Sequence, residues 1–333
     1  MRDGRKLRLA VALGAAALAL AFAASLTVGT AAVSTADVLA VLTGTRGVSD
    51  AARLVVWQVR LPRALASVAC GAALAVAGLL LQAALDNDLA SPGVMGINAG
   101  AGFFTLLAAL YVPYVALVRQ AAAFVGAFAA AALVQAISRK AGGSRTTLVL
   151  VGVAVSSLAS AGTNVVITLH PEVVADKVAF SLGGLAGVSW GQLAVAAPVV
   201  AIGIVAAVLL APGIDLLALG DETAHGLGLD VKRWRALAIV AASALAAAAV
   251  SVCGLLGFVG LIVPNLIRIV EPARTRAGAA LCVVWGAAFL TLCDLLARVL
   301  FFPYELPAGL LLSLLGAPFF IWVLVHRKRG WRS

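Results

Sequence analysis

The sequence predicts an all-α integral membrane protein of about ten transmembrane helices, on three observations: its low polarity, the spacing of its charges and the side on which its basic residues fall. Only 11% of the 333 residues are charged and 63% are hydrophobic, with a mean hydropathy of +1.10. A soluble domain carries about 25% charged residues. So little polar surface cannot face water over most of the chain, and lipid is the solvent that the composition demands.

The 24 basic and 14 acidic residues are clustered, and they separate uncharged stretches at roughly 9–28, 64–85, 94–112, 120–137, 148–169, 192–211, 236–267, 279–293 and 306–325. A helix needs about 20 apolar residues to cross a hydrocarbon core of about 30 Å, and it satisfies its own backbone groups there. Most stretches fit one crossing each. The stretch at 279–293 reaches full length only with Asp294 and Arg298 near its end.

Between Arg235 and Arg268 lie 32 uncharged residues, too many for one simple crossing and few for two. Gly254, Gly257, Gly260 and Pro264 interrupt the second half and predict a break. Lys and Arg stay on the cytoplasmic side near span ends. Two crossings there, ten in all, place 17 basic residues inside and 7 outside; one crossing gives 11 and 13. Ten spans with both termini cytoplasmic are therefore expected. Arg2, Arg5, Lys6 and Arg8 precede an apolar run longer than a secretory signal, so the first helix is expected to be retained.

The longest polar-leaning segments, 29–63, 170–191 and 212–235, are too short to fold alone, so residues 1–333 read as one membrane domain. Cys70, Cys253, Cys282 and Cys293 lie in apolar segments without metal-ligand spacing and read as small core residues; no metal site is expected. The net charge of +10 sits in span-flanking loops, which favours topology over nucleic-acid binding. Small residues recur at Gly71, Gly78, Gly96, Gly100, Gly183, Gly187, Gly309 and Gly316, as close helix approach in lipid requires.

Six features bear on function. Arg60 and Arg63, three apart at an expected helix start with Pro62, lie on roughly one face and suit docking of carboxylates or lipid phosphate. The loop Asp86–Gly93 has no basic residue though the charge rule places it inside, and reads as a turn or a pore-closing loop. Leu219–Gly228 reads as a short helix ended by glycine, a connector or a contact for a soluble partner. Gly254–Arg268 reads as an interrupted helix, tolerated at membrane depth only against protein or a water-filled path. Asp294 and Arg298, four apart, can pair on one helix face, ahead of Glu305-Leu306-Pro307. Finally, there is no phosphate-cradling Gly-x-x-x-x-Gly-Lys-Ser/Thr loop, so the chain is not expected to bind ATP, nor to be an enzyme.

In this order the motifs resemble the FecCD family of ABC importer permeases over about residues 55–325. The resemblance rests on Arg60-x-Pro62-Arg63 with Gly71, Gly78 and Gln82; on Asn87-Asp88-Leu89-Ala90-Ser91-Pro92-Gly93; on Leu219-Gly220, Ala224 and Leu227-Gly228; and on Gly257 to Arg268. Asp294, Arg298, Glu305 to Gly309 and Gly316 to Phe319 complete it. Two positions depart from the family pattern: Asp88 stands for a proline and Asn265 for a histidine.

The resemblance implies a type II importer fold in a bacterial inner membrane. Two permease copies, identical or paralogous, would surround a path, with cytoplasmic ATPase subunits holding ATP and Mg²⁺ below and an extracytoplasmic binding protein above. It also implies that Arg60, Arg63 and Arg298 meet the binding protein. Residues 216–229, with Leu219, Gly220, Ala224, Leu227 and Gly228, would seat in the ATPase. Gate or pathway roles would fall to Asn87, Leu89, Thr146, Thr147, Gly257, Pro264 and Asn265. The implied cargo is a ferric siderophore or related iron chelate, with haem or cobalamin as the alternative. A secondary transporter driven by an ion gradient is the reading from a different class.

Overall fold

The computed structural model describes residues 2–29, 33–45, 48–142, 144–270 and 275–330, with side chains described within 5–269 and 275–321. The basic residues Arg2, Arg46, Arg274 and the 327–332 cluster, used in the charge argument, lie outside the described side chains. The helices are α1 (Arg2–Thr27), α2 (Thr35–Thr43), α3 (Asp50–Leu54), α4 (Leu61–Leu85), α5 (Ile97–Tyr111), α6 (Ala116–Lys140), α7 (Arg145–Leu169), α8 (Val174–Leu182), α9 (Trp190–Leu217), α10 (Asp221–Gly226), α11 (Val231–Cys253), α12 (Val259–Val270), α13 (Thr275–Val299) and α14 (Ala308–Gly330). Seven helices are long and apolar enough to cross a membrane, and three shorter apolar ones, Ile97–Tyr111, Val259–Ile269 and Ala308–Ile321, bring the candidates to ten. The helical membrane fold and its span number are as expected.

At the centre stands α4, packed by α13, α11, α9 and α12. Glycine allows that approach. A methyl group on Gly71 would collide with the Gly286 carbonyl, and one on Gly78 with the Gly260 carbonyl. The Gly100 and Gly126 backbones close α5 on α6 in the same way. Without a hydrophobic drive between helices in lipid, such backbone contact is what holds a bundle together.

The long uncharged stretch does divide, but not where its proline stands. The break is the extended segment 254–258 between α11 and α12; Gly254 takes φ 65° and Phe258, unusually for a non-glycine, φ 67°. Pro264 lies inside α12. Having no N–H, it leaves the carbonyl of Gly260, four residues back, without its helical donor. Gln82 Nε2 supplies one from α4 at 3.1 Å. Gly78 and Gln82 thus grip the same turn of α12.

A second departure concerns 29–63. Serine caps at Ser34 and Ser49 start α2 and α3, and helix then continues from Asp50 to Leu85 through a π turn at Val55–Arg60. Pro62 therefore sits within a continuous helix rather than at its start. The wider π turn, closed by Leu61 N on Val56 O, accommodates the missing proline donor.

Candidate functional site: two clusters of charge

Opposite ends of the bundle each carry a cluster of ionised side chains. At the end where α1 and α13 finish, Asp294 is 0% exposed and sits between two arginines. Arg63 meets both carboxylate oxygens, with Nε at 3.2 and 3.1 Å and Nη2 at 3.0 Å. Arg298, one turn along α13, reaches Asp294 Oδ2 at 2.9 Å and gives its other bonds to the Ser25 hydroxyl and carbonyl of α1. Arg63 Nη1 extends to Glu305 Oε2 at 2.7 Å. Arg60 Nη1 donates to the Leu26 and Thr27 carbonyls at the end of α1, where a cation also matches the helix dipole.

The sequence predicts Arg60 and Arg63 on one helix face, suited to docking, and the resemblance adds Arg298. Instead Arg60, Arg63 and Arg298 are 4%, 7% and 3% exposed and spent on internal partners. For Arg63 and Arg298 the physical reason is Asp294, because an ion buried this completely persists only if it is paired and hydrogen-bonded; Arg60 is drawn in by the carbonyls at the end of α1. Only the edge of this cluster reaches a surface, where Arg63 and Glu305 line a cleft of about 600 Å³ with Leu182 and Pro307.

The other cluster surrounds α10. Gly220 and Gly228 bracket this helix at φ 97° and 86°, which a side chain would strain. Ala224 is 0% exposed, whereas Leu219 and Leu227, which flank α10, are 58% and 61% exposed. At its first residue, Asp221 accepts Arg235 Nη2 at 2.6 and 2.8 Å and Arg145 Nη2 at 2.7 Å. Burial raises the Asp221 carboxyl, but the bonds and charges of Arg235 and Arg145 outweigh it and hold the group below the ordinary carboxylate range.

Both arginines also reach the end of α4. Arg235 Nε donates to the Ala84 carbonyl at 3.0 Å, and Arg145 Nη1 to Asp86 Oδ2 at 2.6 Å. The two arginines thus join the first residue of α10 to the end of α4 and its cap, Asp86. In that loop Asn87 Oδ1 accepts the Leu89 amide at 2.9 Å, a local turn, and leaves Leu89 38% exposed. Asp88 pairs with Arg268, and its carbonyl accepts Asn265 Nδ2 at 3.2 Å. The two departures from the family pattern thus meet one another.

The structure brings Asn87, Leu89, Pro264 and Asn265 together at this end. Thr146 and Thr147 open α7, with Thr147 N on the Ser144 cap at 3.0 Å. Gly257 belongs to the break at the other end of α12. Sequence reasoning did not single out Arg145, Asp221 or Arg235. Arg235 stands among the basic residues at the start of α11, where the charge rule alone accounts for it, so the sequence carried no separate signal for this cluster.

Residues 17–326 match the model of the FecCD transport family. The chain is 38% identical over 284 residues to the cobalamin import system permease protein BtuC of Halobacterium salinarum, covering 85% of this chain and 76% of that one. It is 38% identical over 288 residues to the hemin transport system permease protein HmuU of Yersinia pestis, covering 84% and 85%. Among solved structures, a metal-chelate type ABC transporter in an inward-facing conformation superposes with a TM-score of 0.83 at 28% identity, covering 95% of this chain and 98% of that one.

Proposed function

The chain belongs to the FecCD transport family, and from that premise we propose that it is the membrane-spanning subunit of an ATP-driven importer of iron chelates, ferric siderophores first among them. The observation that carries the reading is the tie from α10 to the end of α4 through Asp221, Arg145 and Arg235. A short helix flanked by two exposed leucines suits a groove on a cytoplasmic ATPase, and the ionic tie gives that partner purchase on the loop Asn87–Leu89. The ATPase, which would hold ATP and Mg²⁺, moves α10; α4 and α12 shift with it, so each partner biases one of two states. This orientation puts α10 and both termini in the cytoplasm.

A second permease copy is supported by α7. Little of this helix is buried within the subunit, and it exposes Ser157, Ser160, Asn164 and Thr168 along one face. Hydroxyls and an amide at that depth suit a neighbouring subunit or a wet path better than lipid. Opposite α10, the cleft of Arg63 and Glu305 is the proposed seat of the binding protein. There the buried arginines act by holding Glu305 and the α1 end in shape, rather than by pairing directly.

An ion-gradient mechanism would need a carboxylate able to change protonation within the membrane. Asp294 is committed to two arginines, which argues against it. Haem and cobalamin stay as the alternative cargoes, because the relatives are named for them. The test is uptake of radiolabelled ferric siderophore, haem and cobalamin by proteoliposomes holding the permease with its ATPase and binding protein. ATP-dependent uptake of the ferric siderophore alone is expected. Uptake by the permease without an ATPase would overturn the importer reading, and uptake of only cobalamin or haem would overturn the cargo.

A further inference from the structure

We infer that the cleft between the Lys140 end of α6 and the Val231 end of α11 binds the headgroup of an anionic phospholipid. The cleft has a volume of about 560 Å³, and Arg139, Lys232 and Arg233 line it. None of the three has an ion-pair partner among the described residues. Nearby arginines are matched: Arg145 and Arg235 by Asp86 and Asp221, and Arg268 by Asp88. Asp230, the carboxylate on the rim, is turned to the Arg233 amide at 3.1 Å.

Directly beside this charge lies apolar surface. Arg233, Leu237 and Val240 stand at i, i+4 and i+7 on α11 and share one face. Leu237 and Val240 are 43% and 42% exposed and line the same cleft. Seven residues of helix rise about 10 Å, which carries that face from headgroup level into the acyl region. A soluble anion would meet the cations and leave those side chains uncovered. A lipid meets both.

An independent observation points to a ligand. Ser138 lines the cleft, is 1% exposed, and its hydroxyl finds no partner among the described residues. A buried hydroxyl left without a bond costs free energy that a phosphate oxygen in the cleft would restore. The inference rests on the membrane-spanning reading alone and is independent of cargo.

The full chain in nanodiscs of phosphatidylcholine, with or without phosphatidylglycerol, tests it. Phosphatidylglycerol should raise the melting temperature and be retained over phosphatidylcholine in native mass spectrometry. Each cation near an anionic surface is worth roughly a fivefold change in affinity, so Arg139→Gln/Lys232→Gln/Arg233→Gln should abolish the enrichment. Arg5→Gln/Lys6→Gln/Arg8→Gln, with the same net charge, should keep it. Ser138→Val and Leu237→Gln, which leave the charges in place, should each weaken it and serve if the triple variant does not fold. Equal loss in both triple variants, or loss in neither, would overturn the site. Protection by inorganic phosphate in pure phosphatidylcholine would assign the cleft to a soluble anion and overturn the lipid. Loss of ATPase co-purification with lipid preference intact would give the patch to the protein partner.

Discussion

The two charge clusters use the same side chains for opposite purposes, and burial is the difference between them. Around Asp294 the carboxylate is 0% exposed and its arginines nearly so, and the bonds join α1, α4, α13 and Glu305. Around Asp221 the carboxylate side chain is 45% exposed and Arg145 is 30% exposed, while Arg235 is 8% exposed, and the bonds join a surface helix to the end of a core helix. A fully desolvated ion pair cannot be opened without stranding a charge. The Asp221–Arg145 pair is partly solvated and can exchange its partner for water at little cost, with Arg235 staying on the carboxylate. One cluster locks, and the other can move.

The largest effect expected is therefore Asp294→Ala. It leaves Arg63 and Arg298 buried with only Glu305 to answer them, which costs about 3–5 kcal/mol. The protein should lose its cooperative melt in detergent. Retention of the wild-type melting temperature would mean that water reaches this cluster, and the contrast between the two ends would fail.

Arg235→Gln sharpens the other side. It should cost little stability, about 1 kcal/mol or less beyond its packing, because its partner is half in water. Uptake per ATP hydrolysed should nonetheless fall, by about 5–150-fold if the coupling has the usual strength of 1–3 kcal/mol. Hydrolysis by the assembled complex should persist. Parallel loss of hydrolysis and uptake would reduce Arg235 to a folding residue. Arg145→Gln should act in the same direction.

A smaller effect belongs to Asp88 and Asn265, which stand for the family's proline and histidine, and to the Arg268 partner of Asp88. Asp88 is 22% exposed and Arg268 28% exposed, so the bond between them is worth about 1 kcal/mol at most. Asp88→Asn should raise ATP-independent leak of cargo by no more than about fivefold. Asn265→Ala should do the same by freeing the Asp88 carbonyl. Unchanged leak in both would show that closure comes from elsewhere in the assembly.

Most of the bundle was legible because lipid makes the sequence report on it directly: uncharged runs have a required length, and the surplus of basic residues chose two crossings for 236–267. The bracketed helix at Leu219–Gly228 was legible through its glycines. What the residues did not disclose was direction. Arg60 and Arg63 read as a pair on one face, but a π turn rotates Arg60 onto the end of α1, and Arg63 is claimed by a carboxylate 231 residues away. Pro264 read as the breaker, yet Gln82, 178 residues from the carbonyl it satisfies, lets the helix run through it. Arg145 and Asp221 are 76 residues apart and no local pattern joins them. Pairing across the bundle is set by how helices pack, and periodicity within one helix does not encode it.

The smallest effect expected is on pH, and its sign follows from the Asp221 carboxyl lying below its ordinary value in the fold. A depressed carboxylate contributes its stability above the unfolded value, about 3.9 for an aspartate, and loses it as pH falls through the lower folded value. Its arginine partners stay charged throughout. The difference in melting temperature between the wild type and Asp221→Asn should therefore be flat from about pH 5 to 8 and shrink only below about pH 4. With the carboxylate half in water, it should never be large. A difference that shrank instead near neutral pH would mean that the two arginines do not hold this carboxylate below its ordinary range. The tie would then be a proton-sensitive contact, and α10 would no longer be held by a permanent ionic lever.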